Sequence, residues 1–166
     1  MPEDPRLDRT TRLRPGNAVA ALITIGDRYF LQLRDDKIGI FFPRHWGCFG
    51  GECEAGETLE GALARELHEE LGIALEPAAL RYFSRFDFDL GFAGLDPIWR
   101  YFYEIDLPPA MQGSLRLREG SDMRAFPIED ILTNRIDITP YDAFALWLHI
   151  NRRRLHGAPR GEDVRG

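Results

Sequence analysis

Glu66, Glu69 and Glu70 stand three and four residues apart, a spacing that puts all three carboxylates on one face of an α-helix within a single turn. Like charges that close repel one another, and in water they destabilise an isolated helix. A hard divalent cation reverses the sign, because Mg²⁺ or Mn²⁺ prefers oxygen ligands and is commonly held by a few carboxylates together with substrate phosphates. A metal also lowers the pKa of bound water and screens phosphate oxygens from the attacking anion. The chemistry suggested is metal-assisted attack of water on a phosphorylated substrate, which depends on positioning and charge stabilisation rather than on a Ser or Cys nucleophile.

Further residues flank the three glutamates at fixed spacing: Gly51, Glu57, Arg65-Glu66-Leu67, Glu69-Glu70, Gly72 and Ile73. Over these 23 residues the chain resembles, at every fixed position, the signature box of the Nudix hydrolases. The resemblance implies an α/β fold, a Nudix-type α/β/α sandwich with a mixed β-sheet between helices. It also implies divalent-metal-dependent hydrolysis of a nucleoside diphosphate linked to another moiety: a nucleoside triphosphate, an oxidised nucleotide or a nucleotide sugar. By the same resemblance Glu66, Glu69, Glu70 and the Gly50 carbonyl are the expected Mg²⁺ (or Mn²⁺) ligands, with Glu66 also helping to activate water. Glu57 and Arg65 are expected to pair and pin the loop to the helix, Arg65 counting with the catalytic set, since an arginine fork grips a carboxylate as lysine cannot. Gly51, Glu57 and Gly72 are the structural support. The family often has proline before the glycine pair; this chain has Phe49.

The helix spacing does not predict a catalytic base. The segment Glu119 to Phe126 resembles the family loop that supplies an additional acid, and it makes Glu119 the first candidate, with Asp122 and Glu129 in reserve. Arg34 and Arg44 could each fork onto a phosphate, and Trp46, Phe41, Phe42 and Trp99 could stack on a base. His68 points away from the glutamates by helix arithmetic, and His45, His149 and His156 form no ligand pattern.

The elements that must position these groups are legible in outline. Asn17 to Ile25 is an apolar, β-branched-rich run, Arg28 to Arg34 alternates, and Gly26-Asp27 between them predicts a hairpin. Asp35 to His45 is turn-rich, with Ile and Phe side chains that could close over a pocket. Thr58 is the expected N-cap and Gly72 the expected stop of the acidic helix, with Leu63, Leu67 and Leu71 anchoring it on a sheet and Ala64 widening that stripe. Leu80 to Leu90 and Ile98 to Leu107 read as long strands, Gly113 to Arg118 as a short one, and Ile128 to Leu132 as a helical turn. Tyr141 to Leu155 reads as an amphipathic helix with Phe144, Leu148 and Leu155 on one face and Ala145 and Trp147 alongside. Residues 1–16, with four Arg and three Pro, read as an arm, 17–156 as a single domain and 157–166 as a tail.

At 166 residues the chain can bury a real core. Its formal charge of −6 argues against a broad nucleic-acid-binding face. No apolar run approaches membrane-spanning length, so a soluble, cytoplasmic protein with a small-molecule nucleotide or diphosphate substrate is expected. Edge strands leave a homodimer open. Cys48 and Cys53 have neither disulfide nor zinc spacing and read as packing residues. Two other readings compete: an isoprenoid-diphosphate-type isomerase on the same scaffold, which would need a cysteine and an acid set for proton transfer, and a non-catalytic nucleotide-binding module.

Overall fold

The computed structural model describes residues 17–89, 91–93 and 97–156; the expected arm and tail lie outside them. Strand β1 (Ala18–Ile25) is apolar except for Thr24 because both its faces are covered. Val19, Ala21 and Ile23 join one core cluster with Leu63, Leu67 and Leu71 of helix α1 (Leu59–Leu71). Ala20 and Leu22 face the opposite cluster, with Ile131 of α2 (Ile128–Leu132) and Ala145, Leu146 and Ile150 of α3 (Pro140–His156). The sheet thus lies between helices, the expected α/β/α arrangement.

The predicted hairpin forms. β1 pairs antiparallel with β2 (Arg28–Leu33) from Ile23↔Phe30 to Ile25↔Arg28, across a turn where Gly26 has φ 61°. On its other side β1 runs parallel to β5 (Ile98–Leu107) over its full length, and β4 (Arg81–Phe88) closes that edge antiparallel to β5. Beyond Phe30, β1 and β2 diverge and the chain from residue 46 to 52 fills the gap. β3 (Trp46–Gly47) pairs with Leu33 and Gln32, and the following residues bridge Phe49 to Ala21 and Glu52 to Ala18. This wedge delivers Gly50 and Gly51 to the sheet edge beside α1. Phe49, in the position where the family often has proline, is fully buried and stacks on Phe30 at 5.5 Å.

Helix α1 begins and ends where expected. Thr58 Oγ1 accepts from the Gly61 N–H at 3.1 Å, and Gly72 closes the helix at φ 71° with its N–H on the His68 carbonyl. Ala62, not Ala64, is fully buried beside the leucine stripe. By helix geometry Glu70 falls between Ala62 and Leu63 in angle, so the acidic and apolar faces overlap at that residue.

Three expectations are corrected. Gly113 to Arg118 is no strand: a 3₁₀ helix, Pro109–Ser114, is followed by extended chain that docks on the end of α1. There the Arg116 and Arg118 N–H groups donate to the Leu71 and Glu70 carbonyls at 3.3 and 2.9 Å, two of the acceptors that a helix C-terminus leaves open. Downstream, the segment read as loop contains strand β6 (Asp122–Pro127), paired antiparallel along all of β2. In α3 the buried face is Asp142, Ala145, Leu146, His149 and Ile150, while Phe144 and Trp147 are about half exposed. Hydropathy misses this face because two of its members are polar and internally paired. Asp142 accepts from Arg100 Nε at 2.8 Å, and His149 bridges the Tyr29 hydroxyl and Glu104. Among the described residues no helix is long and apolar enough to cross a membrane.

Candidate active site

A cleft of about 430 Å³ opens where the glycine wedge, α1, the loop after β2 and the loop before β6 meet. Gln32, Gly50 and Glu70 line its inner side, Arg34, Lys37 and Ile40 a second wall, and Arg118, Glu119 and Gly120 a third. The last two walls are tied together. Asp35 accepts from the Ser121 hydroxyl at 2.9 Å and pairs with Lys37, while the Ser121 N–H donates to the Leu33 carbonyl.

Arg65 organises the outer part of the helix face. Its guanidinium takes Glu57 bidentately at 2.8 and 3.0 Å and donates to Glu66 at 2.8 Å, to Glu69 at 3.3 Å and to the Glu52 carbonyl. The expected Glu57–Arg65 clamp therefore exists and extends to two of the three clustered glutamates. The Arg65 fork, with help from the Glu54 N–H, lowers the Glu57 carboxyl to about 2. Glu66 lies so close to the glycine turn that a Cβ at Gly51 would sit 2.6 Å from its carboxylate. Burial pushes its pKa up, opposed by Arg65.

Glu70 is the most enclosed of the three, about 5% exposed, with one oxygen accepting from Gln32 Nε2 and the other from the Gly50 N–H, each at 2.8 Å. Burial raises its carboxyl to about 7 against these two donors, and the neighbouring Glu66 and Glu119 charges push the same way. At Gly50 itself φ is 127°, and a Cβ would lie 2.2 Å from the Val19 carbonyl oxygen. The Phe49 and Gly51 carbonyls accept from Ala21 and Val19, a ladder in which the Gly50 carbonyl has no part.

Glu119 lines the cleft; Asp122 and Glu129 do not. Asp122 pairs with Arg124 and Glu129 with Arg135 at the far end of β6. Of the expected phosphate-binding and stacking residues, Arg34 lines the cleft, its Nε bonded to the Phe41 carbonyl at 2.8 Å. Arg44 is exposed, 3.9 Å from Asp36, and Trp46 packs edge-on against Phe126 at 4.6 Å in the opposite core cluster; neither lines the cleft. Trp99 lies on β5 under Arg85, and Phe42 meets Tyr141 and His45. Gln32, Lys37 and Arg118 were missed. Gln32 carried a signal, a polar residue in an apolar strand, but nothing in sequence spacing ties it or the two cations to the helix.

A family model described as the NUDIX domain matches residues 14–146. The chain belongs to the Nudix family. Among curated proteins it is similar to the nucleoside triphosphatase NudI of Enterobacter sp. (strain 638), 39% identical over 69 residues, which are 42% of this chain and 48% of that protein. The chain thus spans about half the length of the curated relatives it matches. Its fold is similar to that of a MutT NUDIX hydrolase from Burkholderia pseudomallei, at TM-score 0.63 and 24% identity over 80% of this chain and 96% of that one. It is also similar to a bifunctional NMN adenylyltransferase/ADP ribose pyrophosphatase from Francisella tularensis, complexed with AMP and Mn ion. There the TM-score is 0.62 and the identity 18%, over 87% of this chain and 43% of that one.

The donor set of this Nudix site is chemically suited to a hard divalent cation, all oxygen and net negative. Its carboxylates are held apart by protein partners, Glu69 by Arg65 and Glu70 by Gln32 and Gly50, and among the described residues no three acidic, His or Cys side chains converge on one point. The burial of Glu70, with the neighbouring charges adding to it, has a measurable consequence in chelator. A carboxyl raised to about 7 when folded, against an ordinary value of 4.5, favours the native state below the lower value and loses that contribution as pH rises through the upper one. The melting temperature of the metal-free protein is therefore expected to fall between about pH 5 and pH 7, and Glu70→Gln to flatten that part of the profile. An unchanged slope in Glu70→Gln would assign the pH dependence elsewhere.

Proposed function

We propose that this Nudix domain is a divalent-metal-dependent pyrophosphohydrolase acting on a nucleoside triphosphate or a related nucleoside diphosphate derivative. The observation that carries the reading is the meeting, across one cleft, of Glu70 on α1, Gly50 on the wedge and Glu119 on the opposite loop, with Arg34, Lys37 and Arg118 on the walls. Separated carboxylates and cations suit a polyphosphate whose charge is partly met by metal and partly by side chains. The name of the NudI relative, nucleoside triphosphatase, supports the substrate class.

Glu66, Glu69, Glu70 and the Gly50 carbonyl would hold Mg²⁺ or Mn²⁺, which when bound supplies Lewis-acid polarisation and charge neutralisation. The chain's own groups do the rest. Arg65 keeps Glu66 and Glu69 oriented, Glu119 takes the proton of the attacking water, and Arg34 with Lys37 and Arg118 receives phosphate oxygens. Neither cysteine lines the cleft. Cys48 is buried against the α3 side, and Cys53 packs against the α1-side core, so the isomerase reading gains no support. A panel of nucleoside triphosphates, oxidised nucleotides and nucleotide sugars, assayed for phosphate and pyrophosphate with Mg²⁺, with Mn²⁺ and in chelator, tests the proposal. Turnover of a triphosphate that vanishes in chelator is the expected result. Undiminished hydrolysis in excess chelator would overturn the metal mechanism, and no turnover of any member would favour the non-catalytic module.

A further inference from the structure

We infer that Gln32 is a positioning residue of this site, fixing the carboxylate of Glu70 and seating the Glu119 loop on one side chain, so that metal affinity depends on an uncharged residue of the sheet. The inference rests on the proposed metal role of Glu70.

Gln32 is about 6% exposed in a strand whose neighbours Phe30 and Leu31 are core residues. A buried amide is costly without partners, and this one has them. Its Nε2 donates to Glu70 Oε1 at 2.8 Å and lies 3.4 Å from the Cys48 carbonyl oxygen. The Cys48 carbonyl can only accept and Glu70 accepts when ionised, so a flipped amide would set oxygen against oxygen, and this pair of partners assigns the orientation. Oε1 must then face the loop before β6. There a Cβ on Gly120 (φ 86°) would come within 3.1 Å of it and within 3.0 Å of the Leu33 carbonyl. One side chain therefore bonds the helix acid on one side and lies close beside the residue next to Glu119 on the other. With the Gly50 N–H on Oε2, each oxygen of Glu70 has one donor, one from β2 and one from the glycine wedge.

A residue that merely satisfies the core would affect folding and leave metal binding alone. A residue that orients a metal-binding carboxylate changes metal affinity, commonly by 10- to 100-fold. The test is titration of the metal-free protein with Mn²⁺, following the free ion by electron paramagnetic resonance. Gln32→Met keeps length and loses the donor; Gln32→Asn keeps an amide too short to reach and serves if the first variant does not fold. Folding of each is checked by circular dichroism, and Glu70→Gln is measured alongside. The expected result is a Kd for Mn²⁺ raised about tenfold or more in a folded Gln32 variant. Affinity within twofold of the parent in the Gln32 variants, with weakened binding in Glu70→Gln, overturns the inference and leaves the proposed site standing. Unchanged affinity in Glu70→Gln overturns the metal role of Glu70 and the inference with it.

Discussion

Glu119→Gln is expected to lower the single-turnover rate by about 10²–10⁴-fold, the usual effect of removing a general base, with substrate affinity changed much less. Among the three loop acids considered it alone lines the cleft, and its charge is felt by both Glu66 and Glu70. The backbone that carries it is anchored on two sides, by the Arg118 N–H on the Glu70 carbonyl and by the Ser121 N–H on the Leu33 carbonyl. Rapid-quench measurements on Glu119→Gln, Asp122→Asn and Glu129→Gln with one substrate decide the assignment. Asp122 and Glu129 are engaged with arginines on and beyond β6, so their variants are expected to turn over normally. A collapse in either, with Glu119→Gln near normal, would transfer the role; normal rates in all three would return it to Glu66.

The second large effect belongs to the glycine pair, where adjacent substitutions should fail for different reasons. In Gly50→Ala the new methyl meets a backbone carbonyl of the central strand at 2.2 Å, in a conformation that L residues rarely adopt. Neither partner can rotate away, so a loss of about 3 kcal/mol or more, or no folded protein, is expected. In Gly51→Ala the clash at 2.6 Å is with the carboxylate end of Glu66, which can swing aside. That variant is expected to melt close to the parent and to lose activity. Urea unfolding of both, paired with turnover of Gly51→Ala, provides the check. Parent-like stability in Gly50→Ala would contradict the close approach of wedge and strand.

Much of this is legible in the sequence, because it depends on local periodicity. The hairpin, the helix with both its caps and the leucine anchor follow from residues close in sequence, and the Glu57–Arg65 clamp from the family resemblance. What escaped was set by partners far away. β6 is a strand because β2 offers it an open edge, and its own sequence shows only weak alternation. Residues 115–118 are extended because the end of α1 needs donors. The true inner face of α3 is disguised by Asp142 and His149, polar groups that are buried only because Arg100, Tyr29 and Glu104 await them. In the site, the box located the helix carboxylates, but their unequal burial came from packing. Glu70 lies deep because it shares a helix angle with Ala62 and Leu63, and Glu69 stays outside with Arg65.

The parallel pairing of β1 with β5 also bears on how the chain is made. Ala18 pairs with Arg100, and the contact between Thr24 and Asp106 spans 82 residues. When the first strands leave the ribosome, β1 has only its short antiparallel ladder with β2, and one long edge of the most apolar strand waits for a partner not yet synthesised. Loop closure over such a separation is slow, and an unpaired apolar strand is a site for aggregation in the interval. The acidic helix is translated inside that interval, before β5 exists. The acidic face is therefore assembled on an unfinished sheet, and its final geometry is set only once β5 has been made and closes against β1.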